Sequence, residues 1–566
     1  MFGLAPVDFF IVLIYILGVT WIGLRAGRGA KSAQEFFLPH RFGKWMLTMT
    51  TFGSGTSSDQ AVVVASKCSV SGVSGIWYQW LFLFSTPFFW VVAPLLRRFR
   101  AVTMADIFAA RFDRGVAHLF CGAGLLKTAL SIGLLFKGTG AVLTAASAGT
   151  VNSDVMLVLI AVSLLIYSLV GGLAAAIATE FFQSVLTLPF SFMLLPFVLH
   201  AVGGVRGMKL ALDDPAMFDL FVPGEIGVFY VVMLTLGGLA MLVMIPHNLG
   251  VFTAGRGESD GQVGFVAGAF LKRVCVAAWC LTGLGGAAYF TGREFEPDQL
   301  YGLIAQEFLP NFLPGLLGLF IASVLAAAMS TCSVMLVAGS ALLTNNFYRA
   351  LRPAYPENHY IMAGRWSMVL IAAAGSGFAF WFPGVLRGLE IIIAVTPIMG
   401  VVFWLGFFWH RMNVPGAWAG TMVGYVIWGL TESARGAALL GGIWSGWIRE
   451  SSSGNEAAMI LPWRILLIFS GTIFAAVLAS LRTAPPEAGR LSRFYELSRT
   501  PIQPGEVVQG PCRLPAGAVV PEPRWWVAAG GVFIPKPKTS TVAGFLVCSV
   551  LVAGLIAGFW AILSVG

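Results

Sequence analysis

The chain has 566 residues, 57% of them hydrophobic and only 11% charged, with a mean hydropathy of +0.83. Those proportions exclude an ordinary soluble domain. The net charge of +9 resides in short loops without aromatic-rich basic patches, which argues against a nucleic-acid partner.

A membrane span needs about 20 mostly apolar residues, and about fourteen segments qualify, so the chain reads as an all-α polytopic membrane protein. Helices are expected near 7–26, 44–66, 73–97, 117–148, 154–172, 176–202, 226–254, 262–291, 314–347, 360–385, 389–410, 415–433, 461–481 and 541–563. The first run, VDFFIVLIYILGVTWIGL, lacks a basic flank and a small-residue cleavage site, so it is expected as a retained helix. The segment 293–313 is too polar to span and is expected outside, with a short surface helix. Residues 483–540 hold Pro, Gly and much of the charge, and are expected as a cytoplasmic loop, partly disordered. With the N-terminus outside, Arg25, Arg28, Lys31, Arg41 and Lys44 fall inside. Arg97, Arg98, Arg100, Arg111 and Arg114 do too, as does the basic stretch from Arg482 to Lys538. That positive-inside bias sets the orientation and puts both termini outside a plasma or inner membrane. The seven cysteines (Cys68, Cys121, Cys275, Cys280, Cys332, Cys512 and Cys548) form no C-x-x-C pair and read as small apolar fillers.

Two spans carry interruptions. TFGSGTSSDQ, residues 51–60, contains Gly53 and Gly55, then hydroxyl side chains and Asp59. MIPHNLG, residues 244–250, contains Pro246, which removes a backbone hydrogen bond. These helices are five apart, and each would open a five-helix unit, 44–202 and 226–411. Broken helices at matching positions of two halves point to a transporter site at the bilayer midplane. A third segment, IASVLAAAMSTCSVMLVAGS, residues 321–340, places Ala327, Ser330, Thr331 and Val334 on one helical face. Its hydroxyl oxygens suit a small hard cation, although the same pattern serves close helix packing in membranes.

Several strings resemble the sodium/solute symporter family, which includes sodium/proline and sodium/glucose carriers. LIYSLVGGLAAAIATEFFQSVL (165–186) is similar to its signature region, AAAMSTCS to its eighth core helix and TSSDQ to the break in its first. FWHRMNVPGAWAG (408–420) resembles a helix junction, and RFYELSRTP (493–501) a string in its long inside loop. The resemblance implies a five-plus-five inverted-repeat fold of the leucine-transporter type. Residues 1–43 would form a preceding helix and inside loop, 412–482 two additional helices, 483–540 the cytoplasmic loop and 541–566 the last helix. It also implies a sodium site made by the backbone carbonyls of Ser57, Gln60 and Ala327 with the hydroxyls of Ser330 and Thr331. Asp59 matches an acidic residue of the proline-carrier branch, and either attracts the cation or braces the break. Glu180 matches a family aspartate near the inward exit, or is an interfacial carboxylate. A second sodium site would need Ser330, Ser333, Val334 and Glu180. Val334 stands where that site has a serine, and Glu180 where it has an aspartate, so one coupled sodium is expected.

Substrate contacts are expected from the broken helices and the third core helix. Lys137, beside Gly138 and Gly140, either meets a substrate carboxylate or snorkels. Lys67 and Lys127 are further candidates for the cavity, Lys67 among the expected cavity residues, but read more simply as snorkelling lysines or as partners of Asp59 or Glu180. Pro246 and His247 stand at the second break, where His247 either contacts substrate or caps freed carbonyls. Few Asn, Gln or Glu side chains face this region, which favours a small organic anion or amino acid over a sugar. The expected function is sodium-coupled import of a small organic solute by alternating access, with Na+ as coupling ion and no cofactor. The alternatives are a proton-coupled carrier on the same fold and a transporter-derived membrane sensor. No nucleophile, paired carboxylates or metal-ligand cluster at useful spacing suggests an enzyme.

Overall fold

The computed structural model describes residues 4–26, 42–150, 153–442, 445–450, 457–503, 506 and 510–565. Arg28, Lys31 and Arg41 of the expected inside loop lie outside the described residues. Helix α1 (Pro6–Ala26) turns a lipid-like surface outward and buries Asp8. That carboxylate accepts the Gly318 N–H at 2.7 Å, pinning α1 to the start of a core helix.

The first expected break is present. Helix α2 (Lys44–Gly55) stops, Thr56 and Ser57 are extended, and α3 (Ser58–Ser71) resumes. Helices α4 (Thr86–Arg97), α5 (Met104–Arg111) and α6 (Arg114–Ala146) follow. The expected boundary between 172 and 176 is not a break. Residues Ser153–Met193 run as one helix, α7, before α8 (Leu195–Val202). The physical reason is local: the AAAIA run has high helix propensity and holds no proline. At 1.5 Å per residue α7 is about 60 Å long, roughly twice the hydrocarbon thickness.

The second break is also present. Helix α9 (Val228–Met241) tightens into a short 3-10 turn, and α10 (Pro246–Ala254) leaves it at 66°. Ile245 is extended because the ring of the following proline disfavours a helical residue before it. Helices α11 (Glu258–Tyr289), α12 (Leu300–Phe312) and α13 (Leu316–Ala341) complete the region around both breaks. Beyond them lie α14 (Glu357–Trp381), α15 (Val385–Val395), α16 (Pro397–Phe408), α17 (Val414–Glu432), α18 (Leu461–Arg482), α19 (Ala488–Arg499) and α20 (Thr539–Ser564). Two antiparallel hairpins interrupt the helical order. They are β1 (Ile448–Glu450) with β2 (Ala457–Met459), and β3 (Trp525–Ala529) with β4 (Val532–Pro535). Among the described residues nine helices are individually long and apolar enough to cross a bilayer, or ten with the bent α9–α10 pair. The expected span at 44–66 is broken at Thr56 and Ser57, and that at 73–97 is divided into shorter helices.

Two expectations about loops change. Helix α12 is not a surface helix: Leu300, Tyr301 and Ile304 are fully buried. It folds over one end of the bundle, and Asp298 just before it ties two helices together. One carboxylate oxygen accepts from the Ser66 hydroxyl (3.0 Å) and the other from the Val385 N–H (2.8 Å). The segment 483–540 is also docked. Tyr495 of α19 donates to the Phe407 carbonyl at 2.9 Å, and Arg100 forms a buried ion pair with Glu506. The arginines at that end are staples as much as topogenic charges. Arg97 donates to the carbonyls of Phe252 and Gly255 (2.8 and 2.7 Å), and Arg111 to those of Gly406 and Met412 (2.7 and 3.0 Å).

Candidate functional site: a cation-binding junction beside a charged cavity

The end of α2 is the natural place for free oxygen ligands. The last four carbonyls of a helix have no partner within it. One of these, the Gly53 carbonyl, accepts the Thr331 hydroxyl of α13 at 3.2 Å and the Thr56 N–H at 3.3 Å. Gly53 permits this approach. A Cβ there would lie 2.0 Å from the Ser184 hydroxyl oxygen and 2.9 Å from that of Ser330. Ser184 in turn donates to the Glu180 and Met49 carbonyls (2.6 and 2.9 Å), so α2, α7 and α13 meet at one point. Ala327, Ser330, Thr331 and Ser333 are all buried here. The Ser333 hydroxyl donates to the Ser330 carbonyl at 3.0 Å. The Ser330 hydroxyl oxygen has no hydrogen-bond partner among the described residues. An orphan buried hydroxyl beside a helix end rich in carbonyls fits a cation of sodium's class.

Ser57 and Gln60 follow this helix end along the chain. They belong to the break and to the first turn of α3, where the unpaired backbone groups are N–H donors, not carbonyls. The Ser57 carbonyl accepts the Gln60 N–H at 3.2 Å, one bond where the Gly53 carbonyl accepts two. Both residues, with Asp59, line a central cavity of about 170 Å³. The hydrogen bond from α13 lands on Gly53, four residues before Ser57. The signal was available in the sequence: Gly53 and Gly55 mark where α2 loses its own hydrogen bonds.

Asp59 packs so tightly on α6 that a Cβ on Gly138 would sit 2.6 Å from the aspartate Cβ. One of its oxygens has no hydrogen-bond partner among the described residues. Its electrostatic neighbours are Lys272 and Lys127. Lys137, the lysine expected to meet substrate, is half-buried and does not line the cavity. Lys67 is buried against the Tyr78 ring, its ammonium 5.8 Å from the ring centre, and also lies off the cavity. The lysine of α6 that lines it is Lys127, one helical face away from Lys137. The sequence reading missed Lys272 and Arg273 of α11 and Gln79, which line the same space. Their only sequence signal was a charged pair inside an otherwise apolar helix.

At the second break, Asn248, not His247, caps the tightened turn, its amide donating to the Leu242 carbonyl at 3.3 Å. His247 is buried, with Nδ1 lacking a partner among the described residues, and it borders two cavities. The second cavity is lined by Thr50, Thr103, Glu180, Pro246 and Val334 as well. Glu180 is fully buried, and neither carboxylate oxygen accepts a hydrogen bond from a described residue. The two cavities thus touch the junction of α2, α7 and α13 from either side, with Asp59 on one and Glu180 on the other.

A family model for the sodium:solute symporter family matches residues 36–424. The chain belongs to that family. It is similar to sodium/glucose cotransporter 1 of Oryctolagus cuniculus, 24% identical over 481 residues, covering 74% of this chain and 71% of the relative. It is similar to sodium/myo-inositol cotransporter 2 of Rattus norvegicus, 24% identical over 488 residues, covering 75% and 70%. Its fold matches that of a Na+-coupled sialic acid symporter solved in a substrate-bound, outward-open state. The TM-score is 0.70 at 17% identity, with 85% of this chain and 99% of that one covered. The five-plus-five architecture expected from the sequence is the architecture of this transporter family, and the protein is an integral membrane protein.

Proposed function

We propose that the protein is a sodium-coupled secondary active symporter that imports a small organic solute by alternating access. One observation carries the reading: the Thr331 hydroxyl reaches the Gly53 carbonyl while the neighbouring Ser330 hydroxyl is left without a partner. A sodium ion at this point would take the Gly53 carbonyl and the Ser330 and Thr331 hydroxyls, with the Ala327 carbonyl one turn back on α13. The set implied by the family resemblance, with the Ser57 and Gln60 carbonyls in place of that of Gly53, is the alternative. Glu180 borders the second cavity and would guide the ion as it leaves, with Ser333 as a further candidate on that path. Both termini would face outside, as the distribution of arginine and lysine suggests.

Sodium at the junction would tie α2 to α13 and fix the break, so that Asp59, Gln60 and His247 are held in place around the solute. Each ligand then favours the other. One charge crossing 100 mV supplies about 2.3 kcal/mol and a tenfold sodium gradient about 1.4 kcal/mol more. Together these would sustain a solute gradient of several hundredfold. A small organic anion or amino acid suits the charged cavity better than a sugar does, and the modest volume limits the solute to a few carbons.

The test is uptake into proteoliposomes. An imposed sodium gradient should drive accumulation, and collapsing it should abolish accumulation. Equal uptake in sodium-free medium at low pH would instead make the protein a proton-coupled carrier.

A further inference from the structure

The central cavity holds an imbalance of charge. Lys127 of α6 and Lys272 and Arg273 of α11 line it, against the single carboxylate of Asp59. All four side chains are at least nine-tenths buried. Arg273 is committed to the protein: it donates to the Gln79 carbonyl at 2.7 Å and lies against the Phe82 ring. Lys127 and Lys272 are not. Neither makes a hydrogen bond or an ion pair with a described residue, although Asp59 acts on both across the cavity. Ionisable groups at membrane depth are costly unless something neutralises them. Both lysines, when protonated, would also repel a coupling ion at the junction, so an anion beside them and a cation at the junction favour each other.

We infer that the solute is a compact organic anion carrying one or two carboxylates and no ammonium group, and that Lys127 and Lys272 are the residues that select it. This rests on the transport reading above. A monocarboxylate offsets one surplus cation and a dicarboxylate both; a zwitterion or a polyol offsets none. The backbone agrees with the side chains. The first turns of α3 and α10 both border this cavity, through Asp59 and Gln60 and through His247 and Asn248, and helix N-termini favour negative charge. The volume of about 170 Å³ lies below the roughly 300–1,000 Å³ of drug-sized sites, which keeps the anion small. Entry of the anion lowers the positive potential at the junction, and that is the physical origin of its coupling to sodium.

The experiment is a thermal-shift and calorimetric panel on the purified full-length protein, with and without sodium. The probes are succinate, propionate, alanine and myo-inositol. Succinate or propionate should stabilise the protein in sodium only, and alanine and myo-inositol should not. Lys272→Gln and Lys127→Gln should each weaken carboxylate binding at least tenfold, while sodium alone binds more tightly, because one repelling charge is gone. Lys272→Arg, which keeps the charge, should retain most of the affinity and covers the case in which the neutral variant fails to fold. A sodium-dependent shift with myo-inositol or alanine and none with either carboxylate overturns the inference but leaves sodium coupling intact. Sodium stabilisation with no response to either carboxylate also counts against it. Carboxylate binding that is indifferent to sodium overturns the transport reading instead.

Discussion

Replacing Gly53 by alanine should weaken sodium binding about tenfold without removing any side-chain oxygen ligand. The added Cβ would lie 2.0 Å from the Ser184 hydroxyl oxygen, 3.2 Å from the Ser184 Cβ and 2.9 Å from the Ser330 hydroxyl oxygen. Ser184 can rotate its hydroxyl away, but it then gives up its bonds to the Glu180 and Met49 carbonyls. The close approach to Ser330 remains, so α2 must shift away from α13. Overpacking of this kind costs about 1–3 kcal/mol. Alanine regains at most about 1 kcal/mol of helix propensity, and less at a helix end, so the clash wins. If half to two-thirds of the cost falls on the sodium-bound geometry, the dissociation constant rises about two- to thirtyfold. The assay is thermal stability against sodium concentration. Sodium at a hundred times its dissociation constant stabilises by about 2.7 kcal/mol, which a tenfold weakening reduces to about 1.4 kcal/mol. The Gly53→Ala/Ser184→Gly double variant removes the shortest contact and should recover part of the affinity, a coupling that a cycle measures directly. An unchanged sodium titration in a folded Gly53→Ala protein would refute the junction as the sodium site.

Thr331→Val removes the hydroxyl that reaches the Gly53 carbonyl; a loss of about 0.5–1.5 kcal/mol should raise half-saturating sodium about two- to tenfold in uptake assays, and Ser330→Ala should act in the same direction. Asp298→Ala deletes both bonds that tie α3 and α15 to the turn before α12. Hydrogen exchange at the Val385 amide should then accelerate at least tenfold, with little change at amides in the middle of α13. His410 stacks on Phe533 at 3.8 Å between ring centres, and burial, with the nearby Arg111 charge, pushes its pKa down to about 4. The unfolded chain therefore binds this proton more readily, so the contribution is intact above the ordinary value of 6.5 and is lost as pH falls from there toward 4. His410→Gln should flatten the acid limb of a melting-temperature profile over that window, and an unaltered profile would show that the β3–β4 contact does not depend on this ring.

The amino-acid sequence by itself determined the membrane class, the order of the core helices and the positions of both breaks. These follow from local causes: apolar length, the glycines at 53 and 55, and the proline at 246, which act on the chain whatever surrounds it. The hydroxyl face of Ser330 and Thr331 was legible for the same reason, since helical spacing alone sets which residues share a side. The tertiary structure decided which oxygens meet that face. Whether a carbonyl before the break or after it points at α13 depends on the bend between two helices, and a motif gives no angle. It also decided which lysine matters. Lys127 and Lys137 lie ten residues apart on one helix, and only the neighbours α3 and α11 assign one of them to the cavity. Lys272 and Arg273 were invisible as a site because what they face, Asp59 for Lys272 and the Gln79 carbonyl for Arg273, is nearly two hundred residues or more away in the chain. Local periodicity carries no information about such pairings; they exist only once the helices have packed.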